Sequence, residues 1–308
     1  MHVLVTGSSG LIGSALVDSL VTGGHRVTRL VRSSSATGPR PAGVTDVGWD
    51  PSRQTLDVPA LEAAGAIDGV VHLAGAGVGD KRWSPDRKRV ILDSRTHGTG
   101  LLAATLAALP APPAVLVSSS AVGYYGDRGA DVLTEESGAG TGFLAGVCVA
   151  WEAAAAPAAA AGIRTVLLRT GIVLSAAGGA LGKQLPLFRL GVGGRIGSGR
   201  QYRSWITLDD QVAAIEHCLV DDSVAGPVNA TAPNPATDAE LAVALGAALH
   251  RPAFVAVPAP ALKLVLGSEM ATDMVLSSQR VLPEKLTASG FTFTHTDLDE
   301  AVRAVLGR

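Results

Sequence analysis

The residues of this 308-residue chain best suited to chemistry stand at its beginning, in Val3-Leu4-Val5-Thr6-Gly7-Ser8-Ser9-Gly10-Leu11-Ile12-Gly13. An apolar run ends, three glycines follow, and an apolar helical pattern begins. Each glycine has its own task. Gly7 permits a tight turn, Gly10 lets the main chain approach a pyrophosphate, and Gly13 lets the next helix pack closely on a sheet. The start of that helix offers unpaired N–H groups and a partial positive charge, the complement of a dinucleotide's phosphates. A purely structural turn in a flavodoxin-like sheet is the plainer alternative. The placement between strand and helix favours the dinucleotide.

The second apolar run chooses between dinucleotides. A carboxylate at its end would grip the ribose hydroxyls of NAD. Here Val27-Thr28-Arg29-Leu30-Val31 ends in Arg32, followed by Ser33, Ser34 and Ser35. A guanidinium holds a 2′-phosphate bidentately, whereas an acid would repel it. The spacing therefore predicts NADP(H) in preference to NAD(H). The alternative is that Arg32 only solvates a strand end.

These residues need a frame to hold them. Short apolar runs at 3–5, 26–31, 69–73, 114–118 and 165–168 alternate with helical stretches at 11–22, 85–109 and 144–161. Fully apolar strands separated by helices predict an α/β fold, a Rossmann-like doubly wound parallel sheet. After Leu174 the pattern changes. A glycine-dense loop over 175–204 carries a helical piece near 181–190, and 206–220 reads as a helix opened by Asp209 and Asp210. Small amphipathic elements follow at 258–266 and 278–286, and Thr292–His295 alternates like a short strand. This predicts a nucleotide-binding domain over 1–232 and a small mixed α/β C-terminal cap over 233–308, with the 175–204 loop belonging to the cap.

Composition excludes several classes. Hydrophobic residues make up 47% and charged residues 17%, enough for a sizeable core. A net charge of −2 predicts neither a nucleic-acid surface nor a membrane-seeking polybasic run. Cys148 and Cys218 lack metal-ligand or disulfide spacing, so no metal is expected. Met1-His2 leads straight into the first apolar run, without a secretory leader. The alanine-rich 153–161 is too short to span a membrane. A cytoplasmic protein follows.

Three runs carry a resemblance: Thr6 to Gly13, His72-Leu73-Ala74-Gly75, and Ser118-Ser119-Ser120-Ala121-Val122-Gly123-Tyr124-Tyr125-Gly126. They are similar to an extended short-chain dehydrogenase/reductase. Within that group the chain resembles the "epimerase family" proteins of the NAD-dependent epimerase/dehydratase superfamily, which carry a C-terminal domain of unknown function. Phe143-Leu144-Ala145, Trp151-Glu152, Arg169-Thr170-Gly171, Ser204-Trp205-Ile206 and Gln279-Arg280-Val281-Leu282-Pro283 extend the likeness over essentially the whole chain. The resemblance implies that Ser9, Leu11, Ile12, Leu73, Ala74, Gly75, Ser118 and Thr170 line the cofactor, and that Asp50 touches its adenine end.

It also implies chemistry, with departures. In such enzymes a serine polarises the substrate, and a tyrosine transfers a proton with help from a lysine four residues later. A tyrosine of ordinary pKa near 10 is a poor base at neutral pH, so a cation must favour its phenolate. Ser120 matches the serine. Aligning Glu152 with the glutamate that often follows the lysine puts Leu144 and Cys148 where the tyrosine and lysine should be. Tyr124 and Tyr125 are the nearest replacements, with packing against the cap as their alternative role. Arg95 replaces the usual asparagine of a proton relay. With Lys81 and Arg82 it forms either a solvated basic face or a cleft wall for an anion. Arg203 resembles the arginine that sugar-nucleotide enzymes place on the substrate diphosphate; a surface arginine is the alternative.

Two functions follow. One is an NADP(H)-dependent oxidoreductase or epimerase-like enzyme on a small anionic substrate, using Ser120 and a tyrosine. The other is a non-catalytic binding or regulatory protein gated by NADP(H). By the same resemblance the 85–109 and 144–161 helices either form the four-helix seam of a homodimer or are covered by solvent.

Overall fold

The chain enters its central sheet at once. The computed structural model describes residues 1–32 and 43–307, so Ser33, Ser34 and Ser35 lie outside the described residues. β1 (His2–Thr6) is buried at every position, and α1 (Leu11–Thr22) follows with Leu16, Val17 and Leu20 turned inward. Then come β2 (Arg26–Val31), β3 (Val44–Asp50) and the short β4 (Thr55–Leu56). α2 (Val58–Ala63) leads to β5 (Gly69–His72). α3 (Pro85–Ala108) starts where the Ser84 hydroxyl accepts the Arg87 N–H and Pro85 needs no donor partner. β6 (Val115–Ala121) ends in a 3-10 turn, Val122–Tyr125, ahead of β7 (Val132–Leu133).

The alanine-rich helix expected over 144–161 is two helices, α4 (Phe143–Ala153) and α5 (Ala156–Ala160). Pro157 has no N–H for the carbonyl four residues back, which accounts for the break. Phe143–Ala160 is long and apolar enough to cross a membrane by length and composition. Here it packs on α3 and β6, burying Ala145, Val147, Cys148 and Trp151. β8 (Arg164–Thr170), β9 (Ile172–Leu174), α6 (Gly179–Arg189), β10 (Tyr202–Arg203), β11 (Trp205–Thr207), α7 (Leu208–Val220) and β12 (Gly226–Ala230) complete this part.

The main sheet has the order β12-β8-β6-β5-β1-β2-β3-β4. Its pairs are parallel except β3–β4. From β1 the chain builds outward to β4, then returns to β5 on the other side. That reversal makes the carboxyl ends of β1 and β5 a topological switch point, the place where such sheets bind ligands. Helices cover both faces. Val3, Val5, Val117 and Ile215 pack on the α1 and α7 side, while Leu4, Val70, Leu102 and Leu116 pack on the α3 side.

The rest comprises β13 (Ala236–Thr237), α8 (Asp238–Leu249), α9 (Ala259–Leu266), α10 (Ser268–Met270), a π turn over Ala271–Leu276, β14 (Arg280–Val281), α11 (Glu284–Ala288) and α12 (Leu298–Val305). A third cluster joins Leu185, Trp205, Leu245 and Val302. β14 pairs with β7, and Leu286 reaches the main core.

Two sequence expectations change. Thr292–His295 is not a strand, because its amides have another acceptor. The Asp210 carboxylate takes the N–H of Thr294 at 2.7 Å and of His295 at 3.0 Å. Nor do Asp209 and Asp210 cap α7. Thr207 is the cap and accepts the Asp210 N–H, with the two acids in the first turn, where the helix dipole favours them.

Candidate functional site

The glycine turn has the geometry its residues demand. Gly7 adopts φ +68°, and a side chain there would meet the Leu73 carbonyl carbon at 2.7 Å. A Cβ on Gly13 would stand 2.2 Å from the Gly7 carbonyl oxygen, which itself accepts the Gly10 N–H at 3.0 Å. Gly10 is the N-cap of α1 and contributes no side-chain cap. The N–H groups of Leu11 and Ile12 therefore face outward beside exposed Ser9, without a partner among the described residues. This is a phosphate cradle that the chain leaves open, and it fits a dinucleotide pyrophosphate.

A buried network holds that turn against β5. The Thr6 hydroxyl oxygen accepts the N–H of Leu73 at 3.1 Å and of Ala74 at 3.2 Å. With both lone pairs used, its proton goes to His72 Nδ1 at 2.7 Å. His72 must then donate from Nε2 to the Thr99 hydroxyl oxygen at 2.9 Å, which also accepts Trp151 Nε1–H at 2.9 Å. Burial pushes the His72 pKa down to about 4, with the Arg95 charge adding to it, so the ring is neutral at ordinary pH. His72 thus links the phosphate turn to α3 and α4, a role that one histidine in an apolar run does not announce.

The expected catalytic residues come together, but in an unexpected arrangement. Ser120 is buried and donates to Glu152 Oε1 at 2.6 Å. Arg169 closes on the same carboxylate through Nε at 2.8 Å and Nη2 at 2.9 Å. Arg169 Nη1 donates to the Tyr125 hydroxyl at 3.0 Å, and Tyr125 donates to Asn229 Oδ1 at 2.7 Å. Burial works against the Arg169 charge, yet the bonds to Glu152 and Tyr125 raise its pKa overall. Burial also raises the Tyr125 pKa, partly offset by Arg169. Ser120 has one proton and has given it away, so it can accept a bond from a substrate hydroxyl but cannot polarise a carbonyl. Tyr125 is likewise fully engaged. Tyr124 differs. It is half-buried, its ring lies under the Arg169 guanidinium at 3.5 Å, and its hydroxyl has no partner among the described residues.

Glu152 and Arg169 are the functional residues that sequence reasoning undervalued. The available signal was one acid in an alanine-rich helix and one arginine in an apolar strand; charges in such company are buried as pairs. Cys148, where a lysine was expected, keeps its proton, since burial and the nearby Glu152 raise its pKa to about 11.

The remaining sequence candidates divide. Arg203 departs from the expected substrate-facing position. It is buried, paired with Asp238 at 3.1 Å and bonded to the Val275 carbonyl, so it ties the cap together. Arg95 is half-buried and lies 4.8 Å over the Trp151 ring. It donates to the carbonyls of Ala76 at 2.9 Å and Ile91 at 3.0 Å, and no carboxylate pairs with it among the described residues. Burial and Arg87 lower its pKa. Gly75 lies against it. The Asp50 carboxylate is drawn into its own turn by the Ser52 hydroxyl at 2.6 Å, which also lowers its pKa. Ser118 lies inside the sheet, its hydroxyl without a partner among the described residues. Thr170 ends β8 half-buried, and Arg32 stands exposed at the end of β2. No cluster of metal-binding side chains occurs among the described residues.

A doubly wound sheet with an open glycine cradle at its switch point is the fold of the extended short-chain dehydrogenase/reductase class; the serine–glutamate–arginine centre beside it is a departure from that class's tyrosine–lysine pair. Residues 3–230 match the NAD dependent epimerase/dehydratase family, and residues 257–305 match a domain of unknown function, DUF1731. The chain belongs to the NAD-dependent epimerase/dehydratase family, with that C-terminal domain. An epimerase family protein of Mycobacterium bovis is 43% identical over 300 residues, 97% of this chain and 96% of that one. Human epimerase family protein SDR39U1, solved with NADPH, is 34% identical with a TM-score of 0.87, covering 100% of both chains. A nucleoside-diphosphate sugar epimerase from Corynebacterium glutamicum is 38% identical with a TM-score of 0.79, covering 100% of this chain and 58% of that one. UDP-glucose 4-epimerase from Thermus thermophilus, solved with NAD, shares the fold at 21% identity and a TM-score of 0.78.

Proposed function

We propose that this chain is an NADP(H)-dependent oxidoreductase or epimerase-like enzyme acting on a small anionic substrate, such as a sugar nucleotide. The observation that carries the cofactor part is the open cradle at Gly10–Ile12, together with a basic residue, Arg32, where an NAD binder has an acid. The similarity to a human protein solved with NADPH supports the same choice. When bound, the cofactor supplies hydride chemistry. The side chains supply the rest. Tyr124, whose hydroxyl stays uncommitted, is the proton-transfer group, and Arg169 lies 3.5 Å over its ring and holds it in place. Ser120, fixed by Glu152, orients a substrate hydroxyl by accepting its proton. With Arg203 committed to Asp238, attraction of the anion falls to Arg95, Lys81 and Arg82. A cytoplasmic location belongs to the same reading, as does a homodimer through α3 and α4, on which Val90 and Val149 remain exposed.

The second reading is a cofactor-gated binding protein without turnover. It is favoured by one observation: the hydroxyls of Ser120 and Tyr125 are both spent internally.

The test measures NADPH binding by calorimetry and NADPH oxidation against a panel of carbonyl and sugar-nucleotide substrates. Tyr124→Phe is expected to lower turnover at least ~100-fold while leaving NADPH affinity unchanged. Arg32→Glu is expected to erase the preference for NADPH over NADH. Wild-type NADPH binding with no oxidation across the panel, and a partner whose affinity follows NADPH, would favour the second reading.

A further inference from the structure

Residues 251–269 run Arg-Pro-Ala-Phe-Val-Ala-Val-Pro-Ala-Pro-Ala-Leu-Lys-Leu-Val-Leu-Gly-Ser-Glu, and not one of them is buried. An apolar segment of this length normally finds a core. Here Phe254 and Leu264 are each 80% exposed, and Val265 is exposed beside Leu264 on α9, a helix with no buried residue. The segment is not loose. An antiparallel bridge joins Phe254 to Gly194, a parallel bridge joins Val257 to Ile196, and Arg251 Nε donates to the Arg189 carbonyl at 3.1 Å. The region it is stitched to is also apolar and uncovered: Leu187 and Val192 are exposed, and Leu190 is 75% exposed. The two segments form one face, and contiguous uncovered apolar surface of this kind marks an interaction site.

The charge on that face says what covers it. There is no Asp or Glu from residue 153 to 208, nor from 241 to 268. Over the same ground stand Arg189, Arg195, Arg200, Arg251 and Lys263. None of the five has a carboxylate partner among the described residues. A second copy of this chain joined by a twofold axis would set this cationic face against itself. An anionic partner that also accepts apolar side chains is the better complement, and the interface of an anionic lipid bilayer provides both. The sequence carries no polybasic run because its cations are dispersed over some 75 residues; folding sets Arg251 against Arg189 and Arg195 beside Val257.

We propose that the face formed by residues 187–200 and 251–266 docks peripherally on anionic membrane, with Phe254, Leu264 and Leu190 entering the headgroup boundary and Arg189, Arg251 and Lys263 facing lipid phosphates. This assignment does not depend on whether the protein turns over a substrate.

Co-sedimentation of the full chain with vesicles tests it. One set is pure phosphatidylcholine, and the other contains 30% phosphatidylglycerol, each at low salt and at high salt. The expected result is partition onto phosphatidylglycerol vesicles only, lost at high salt through screening. Phe254→Ser with Leu264→Ser should weaken partition at least ~10-fold, and Arg251→Glu with Lys263→Glu should do the same. Both variants should keep the wild-type melting temperature and its rise with NADPH, which separates lost docking from lost folding. No partition by the wild type, or equal partition onto neutral vesicles, overturns the proposal. So does a wild-type dimer that the Phe254→Ser, Leu264→Ser variant turns into monomer, since a second copy would then be the cover.

Discussion

At the scale of single residues, the site is organised by side chains that spend their hydrogen-bonding capacity on one another. His72 shows this best. Its folded pKa, about 4, is below the 6.5 of an exposed histidine. Above pH 6.5 the ring is neutral in both folded and unfolded states and contributes no pH dependence. As pH falls from 6.5 towards 4, the unfolded chain takes up a proton that the folded chain refuses. Stability therefore declines over that window, by up to ~3 kcal/mol. Urea unfolding of wild type and His72→Asn between pH 4 and 8 checks this. The wild type should lose stability more steeply below pH 6.5, and parallel curves would remove the assigned role. The Ser120–Glu152–Arg169–Tyr125 chain follows the same logic with charge. Burying Glu152 and Arg169 is tolerable only because each saturates the other.

At the scale of elements, the legible parts of the fold were those with a local cause. The strand, turn and helix of residues 2–22 follow from apolar period and three glycines, and the parallel sheet follows from short runs such as Gly69–His72 and Arg164–Thr170. What stayed hidden was long-range pairing. Nothing near Arg203 announces Asp238, 35 residues on, and so a structural arginine read as a substrate ligand. Thr292–His295 alternates like a strand, but its amides belong to an aspartate 84 and 85 residues earlier. Of the catalytic candidates, residue type and approximate position were readable; which hydroxyl remains available depends on partners brought from β8, α4 and β12. The Asp210 contacts also yield a prediction. Asp210→Asn keeps the side-chain volume, loses the charge, and puts an amide donor against one of the two main-chain donors. Stability should fall by ~1–3 kcal/mol, and hydrogen exchange at Thr294 and His295 should quicken more than at the Thr207 cap. Uniform change across α7 and the 294–295 segment would show that Asp210 acts only through its helix.

At the scale of the whole molecule, cofactor and fold are linked through the switch point. A ligand that binds only the folded chain, present at 100 times its dissociation constant, adds about 2.7 kcal/mol of stability. For a chain of this size that is a rise of ~4 °C in melting temperature. NADPH should produce such a rise in the wild type. In Gly13→Ala the rise should vanish, because a methyl group there would stand 2.2 Å from the Gly7 carbonyl oxygen and force the turn open. An unchanged rise in that variant would mean that NADPH binds elsewhere.

The pairing of β14 with β7 bears on how the molecule is made. Arg280 and Val281 lie beside Val132 and Leu133, and Leu286 fills a gap in the core that β1 begins. During synthesis on the ribosome, the first 230 residues emerge with that seam unclosed and must wait for roughly 50 more before it can shut. Over that interval the nascent chain carries the apolar segment at 251–269 and an unfinished core together, the circumstances in which a chaperone has most to protect.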